Sequence, residues 1–273
     1  MVCTSCGVLV GVNDGSCYNC GRRNPGLWGF APALRALGQD LGFVPFVIGA
    51  CVIVYVLMLV FSRGQLSGGG LFSFGSPTTE AMFMFGASGA GPVFGAGRWW
   101  TVLSASWLHG GLLHIFLNMM AVRSLAPSIA DLYGPGRMVI IYTVGGVTGF
   151  VLSSFAGAYL SGIFQGAFFT VGASASIAAL IGAVLAYGHR SGSSQARAMA
   201  KQYVLMLVMM GFLFPGIDNY AHLGGFGGGY FVAKILDPLK PERVDHMAAA
   251  LVCLVLSVVS IVYSFVHGLQ FLQ

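Results

Sequence analysis

Charge is what this chain has least of. Of its 273 residues, 13 are Lys or Arg and 8 are Asp or Glu, so charged residues make up 8% of the sequence, against about 25% in a soluble domain. So small a polar complement excludes a water-soluble globular protein. Carboxylates and cations are also too few within the apolar runs for an ion or proton path, and no inverted repeat of the transporter kind is visible. The basic residues form no nucleic-acid patch, and there is no low-complexity tail or soluble repeat. No cleavable signal peptide is expected, because polar and mixed residues occupy positions 1–42 ahead of the first apolar run.

What fills the chain instead is hydrophobic, at 56% of residues with 41 glycines and a mean hydropathy of +0.82. That composition predicts an all-α polytopic membrane protein in the lipid bilayer, since a spanning helix needs about 20 apolar residues and glycines let such helices approach closely. The first span is expected at 43–61, and six more near 112–130, 138–160, 172–188, 203–217, 220–236 and 247–267. Between the first two lies a Gly-, Ser- and Phe-rich segment, 62–97, too irregular to span and suited to the interface. Alternate loops carry unequal charge. Arg22, Arg23, Arg35, Arg123, Arg137, Arg190, Arg197, Lys201, Lys234, Lys240 and Arg243 fall on one side, and only Arg63 and Arg98 on the other. Positive residues gather in the cytoplasm, so the N-terminus is expected inside and, after seven spans, the C-terminus outside.

Cys3-x2-Cys6 and Cys17-x2-Cys20 form two CxxC knuckles, followed by Gly7 and Gly21. Four thiolates at this spacing suit a structural Zn2+ with no open coordination position. A disulfide pair is the alternative, which a reducing cytoplasm disfavours. A segment this short has almost no core, so metal would have to hold it folded. It reads as a zinc-ribbon-like segment over 1–28, an adaptor for a cytoplasmic protein partner rather than for nucleic acid, with a linker at 29–42. Cys51 and Cys253 lie mid-span and read as core residues.

Three separated segments carry polar residues inside spans, where such residues are costly. Ser174 sits among Gly172, Ala173 and Ala175 at the start of a helix, which leaves room for a carbonyl to reach its oxygen. A helix-packing role is the alternative. His222 precedes Gly225 and Gly229 at the GxxxG spacing that brings two helices together, and its imidazole can act as general base to a nearby serine. With no intramembrane carboxylate to orient it, a dyad is expected, and Asp218 is not expected to take part. His114 and Asn118 share one helix face and can donate to an oxygen that becomes negative in acyl transfer, unless they are an interhelical polar staple. His109 is expected to be a structural hydrogen-bonding residue beside them.

HxxxxHxxxN, GxSx and AHxxGxxxG, in this order and in the second, fourth and sixth spans, resemble the rhomboid family of intramembrane serine proteases over residues 43–240. The resemblance implies a six-helix catalytic core, to which 241–273 adds one C-terminal transmembrane helix (6+1). It implies Ser174 as nucleophile and His222 as base, with His114, Asn118 and the Ser174 backbone N–H as oxyanion donors. It also implies single-span transmembrane proteins as substrates, no cofactor for catalysis, and a bacterial plasma membrane. Three positions depart from the family pattern. Ala175 and Ala178 replace a usual glycine and a usual aromatic that packs on the histidine, and Thr101 replaces the arginine that follows Trp100. A catalytically inactive rhomboid-like protein that binds membrane clients is the competing expectation.

Overall fold

The computed structural model describes residues 3, 5–11, 14–23, 25, 38, 40–63, 74–214 and 216–270. Most of the expected 29–42 linker, and residues 64–73 of the expected interfacial loop, lie outside the described residues. The chain divides into two compact units, Met1–Gly42 and Phe43–Gln273.

Among the described residues the larger unit holds seven long helices: α1 (Phe43–Phe61), α2 (Leu112–Tyr133), α3 (Pro135–Tyr159), α4 (Ser174–Arg190), α5 (Ser194–Leu213), α6 (Asn219–Ile235) and α7 (Val244–Leu269). Five of them, α1, α2, α3, α5 and α7, are long and apolar enough to cross a membrane. The other two have 17 residues each, about 26 Å at the helical rise and at the short end of the spanning range. With no strand among the described residues and only two isolated bridges, the protein is an all-α, polytopic integral membrane protein.

Helix α4 is the axis of the bundle, and every residue from Ala175 to Val184 is buried. Small side chains make this possible. A Cβ on Gly229 would strike Ala179 backbone atoms, one on Gly225 the Ala175 carbonyl, and one on Gly182 the Phe226 carbonyl. Helices α4 and α6 therefore pack backbone against backbone, as small-residue interfaces in lipid allow. Helix α3 closes the groove. A Cβ on Gly149 would stand 2.9 Å from the Ala175 methyl, and Gly145 lies against Ala179.

Most spans lie within a few residues of expectation, but α5 begins nine residues before the expected 203 and stops before 217. Ser193 caps it, accepting from the Ala196 N–H at 3.2 Å, and the first turns carry Arg197 and Lys201, which an apolar-run criterion skips. It ends at Leu213 because Phe214 is extended, as a residue before proline tends to be.

Charges gather at one end of the bundle. Arg190 pairs with Asp237 at 2.9 Å. Buried Arg137 donates to the carbonyls of Asp237, Lys240 and Pro241 and to His246 Nδ1. Arg98, one of the two basic residues counted on the side opposite the N-terminus, is fully buried. Its guanidinium stacks 4.2 Å from the Phe83 ring and donates to the Phe83 and Ser264 carbonyls. The first loop is thus held by an arginine two residues before Trp100, rather than by one after it. Thr101 serves that residue by donating its hydroxyl to the Arg98 carbonyl at 2.8 Å.

Candidate active site and metal centre

The three polar segments meet at the end of the bundle opposite the Arg137 cluster. Ser174 is the first residue of α4, His222 lies in the first turn of α6, and His114 and Asn118 occupy the first two turns of α2. The chain enters α4 through Gly172, whose φ of +135° is a conformation L side chains rarely adopt. A Cβ there would stand 2.7 Å from His114 Nε2 and 3.8 Å from Asn118 Nδ2. Two side chains of α2 therefore converge on the backbone two residues before the serine.

Their hydrogen bonds orient them. Gly110 N–H donates to His114 Nδ1 at 3.4 Å, which leaves the proton on Nε2, the nitrogen facing Gly172. Asn118 Nδ2 donates to the His114 carbonyl at 3.1 Å, and a second N–H remains. Ser174 N–H, in the first turn of α4, has no intrahelical acceptor and lies where the helix dipole favours negative charge. His109 is fully buried and packs edge-on to His114, with ring centroids 5.2 Å apart. The expected hydrogen bonds of His109 are not seen, because both its ring nitrogens lack a partner among the described residues.

His222 is brought to α4 by the glycines that follow it, Gly225 lying against the Ala175 carbonyl. No hydrogen bond joins Ser174 to His222 among the described residues, and His222 Nδ1 is buried without a partner. Ala178 is fully buried. Asp218 is the N-cap of α6, accepting from the Ala221 N–H at 2.9 Å and from the Ser153 hydroxyl at 2.5 Å. The Asp-x-x-Ala step at a helix start was a legible capping signal. The α3 partners Ser153, Gly145 and Gly149 carried no such local mark. Trp100 donates its indole N–H to Ser264 Oγ at 3.0 Å.

In the N-terminal unit Gly7 and Gly21 adopt φ of +73° and +68°, and their N–H groups bond the Cys3 and Cys17 carbonyls, each at 2.9 Å. Each CxxC thereby closes into the same knuckle. The four sulfurs lie within 4.8 Å of one another, with Cys3–Cys20 at 3.8 Å and Cys6–Cys17 at 3.6 Å. All four are free thiols. A tetrahedron with Zn–S of about 2.3 Å has S–S edges of about 3.8 Å, so this donor set fits a metal ion. The Val8 backbone N–H, with the Asn19 side chain, holds the Cys6 thiol down at about 6. The Arg22 N–H acts to lower Cys20, yet hydrogen bonding with Cys6, burial and the remaining sulfurs push it up to about 11. Without a cation, the four sulfurs cannot all ionise easily together.

An all-helical membrane protein with a serine at the start of its central buried helix and histidines on two helices packed with it is the class this architecture defines. Residues 96–238 match the family model described as "Rhomboid domain", more than half of the chain, and the protein belongs to the rhomboid family. It is 29% identical over 197 residues to Rhomboid protease GluP of Bacillus subtilis (strain 168), covering 71% of this chain and 37% of that protein. It is 28% identical over 212 residues to RHOMBOID-like protein 7 of Arabidopsis thaliana, covering 71% and 65%. Inactive RHOMBOID-like protein 8 of the same plant is 33% identical over 132 residues, covering 46% and 35%. The chain thus spans less than two thirds of the length of each of these relatives.

Proposed function

We propose that this protein is a rhomboid-type serine endopeptidase that cleaves single-span transmembrane proteins through a Ser174–His222 dyad. The observation that carries this reading is the convergence of His114 Nε2 and Asn118 Nδ2 on Gly172, at the approach to a serine whose helix packs backbone to backbone with that of His222. His222 takes the Ser174 proton as the oxygen attacks the scissile carbonyl. His114, Asn118 and the Ser174 N–H hold the resulting oxyanion. The imidazolium then protonates the leaving amine, and water, deprotonated by the same histidine, attacks the acyl carbon and expels the Ser174 oxygen, which regains its proton from the imidazolium. No cofactor enters these steps.

In the N-terminal unit, Cys3, Cys6, Cys17 and Cys20 hold a structural Zn2+ in a ribbon over 1–28 that docks a cytoplasmic protein. Residues 43–240 form the catalytic domain and 241–273 an added helix. The charge asymmetry of the loops supports a cytoplasmic N-terminus and an outer C-terminus, and the resemblance to rhomboids supports a bacterial plasma membrane, with cleavage near the outer face.

Labelling of the protein in liposomes with a serine-reactive fluorophosphonate tests the reading. Wild type should label, Ser174→Ala should not, and His222→Ala should label at least about 10³-fold more slowly. A folded wild type that fails to label supports the second reading, a client-binding protein without activity. That reading is favoured by the unbonded Ser174–His222 pair and by the similarity to an inactive relative.

A further inference from the structure

Helix α7 buries its polar face and exposes its apolar one. Its buried residues are Ala250, Ser257, Ser260, Ser264 and Gly268, while Val255, Leu256, Val258, Val259 and Val262 are exposed. Serines in a membrane helix commonly bond back to their own helix, as Ser257 does to the Cys253 carbonyl at 2.9 Å. Ser260 and Ser264 turn outward instead. Ser260 Oγ donates to the Trp100 carbonyl at 2.7 Å, Trp100 Nε1 donates to Ser264 Oγ at 3.0 Å, and Arg98 Nη2 donates to the Ser264 carbonyl at 2.9 Å. The Tyr263 and His267 rings meet Trp100 edge-on at 4.6 and 5.5 Å. Gly268 lets Met84 of the first loop approach, and a Cβ there would stand 2.7 Å from Met84 Cγ.

From Trp100 the loop runs directly into contacts with the candidate site. The Ala105 carbonyl accepts the Gly172 N–H at 2.9 Å, and Ser106 and Ser176 hydroxyls bond at 3.2 Å. Ser88 and Thr170 exchange backbone bonds of 3.0 and 2.8 Å. The segment 170–172, which places Gly172 under His114, is therefore hung on the first loop, and the first loop is hung on α7.

We infer that the Ser260–Ser264 face of α7 is a latch that positions the 170–172 segment through Trp100 and Arg98, making Ser260 and Ser264 positioning residues for the oxyanion corner. The catalytic consequence rests on the protease reading above, whereas the mechanical one does not. The test uses the full chain in liposomes. It compares wild type with the double variant Ser260→Ala/Ser264→Ala, and with Gly268→Val, which wedges the loop off α7 without removing a hydroxyl. Hydrogen–deuterium exchange is followed in peptides covering 98–107 and 168–173, alongside the fluorophosphonate labelling rate and kcat and KM on a single-span substrate.

Both variants should exchange faster at 168–173. Their labelling rate and kcat should fall about tenfold with KM little changed, as expected when one or two local hydrogen bonds are lost. Unchanged exchange at 168–173 in both variants, or a lower unfolding midpoint with an unchanged labelling rate, would overturn the latch and leave α7 as mere packing. If wild type itself neither labels nor cleaves, the protease reading falls, and exchange at 168–173 alone still decides for or against the latch.

Discussion

Gly172 is the residue on which the geometry turns. Its φ of +135° is strained for any L side chain, and the space a Cβ needs is already taken by His114 Nε2. Gly172→Ala should therefore destabilise the protein by about 1–3 kcal/mol, the usual range for a forced backbone outlier. It should also slow Ser174 acylation disproportionately, because either the backbone or the imidazole must move. Thermal unfolding in detergent beside the labelling rate checks both, and a variant that loses midpoint yet labels at the wild-type rate would place the strain away from chemistry. Ser174, His222, His114 and Asn118 were legible as candidates because their chemistry depends on residue type and spacing within one helix. Arg98 was not. Its role depends on a carbonyl 166 residues away, and nothing local separates a buried arginine from a surface one.

Between helices, the ends of α4 and α6 are tied by Arg190 and Asp237. The Arg190 guanidinium, donating at 2.9 Å, is the main cause holding the Asp237 carboxyl below its ordinary value, with the Leu239 N–H and Lys240 assisting. A depressed folded value means the pair contributes stability above the unfolded value of about 4 and loses it as pH falls through the folded one. Asp237→Asn should accordingly lower the unfolding midpoint at neutral pH and match wild type in strong acid. The shift should be small because Arg190 is more than half exposed. A midpoint difference that persists unchanged at low pH would assign the effect to something other than charge. At this scale the sequence predicted which helices exist. It missed the start of α5, because a helix entering the membrane through Arg197 and Lys201 is longer than its apolar part.

Taken whole, the molecule combines two units stabilised by different physics. Among its described residues the N-terminal one has a hydrophobic cluster of only Cys3, Val10 and Cys17, so a metal held by its four cysteines would supply much of its stability. Purified protein should carry about one zinc per chain, as a four-cysteine site does. A strong chelator should make residues 1–28 protease-sensitive while Ser174 labelling persists, since no metal enters the chemistry. Metal content by mass spectrometry and limited proteolysis give the outcome, and a chelated chain that keeps its resistance would show that the knuckles fold without metal.

Membrane class, the seven long helices among the described residues, the CxxC knuckles and the candidate reacting groups were all legible in the sequence alone. Each follows from composition, periodicity or spacing within some 20 residues, where local chemistry is decisive. Only the tertiary structure decided where the serine face of α7 packs, because Ser257, Ser260 and Ser264 suit a core-facing and a partner-facing stripe equally until their partner is seen. That partner, the first loop, lies some 160 residues earlier in the chain. In a bilayer, apolar pattern no longer distinguishes inside from outside, so which helix faces meet is settled by packing and hydrogen bonding between distant segments.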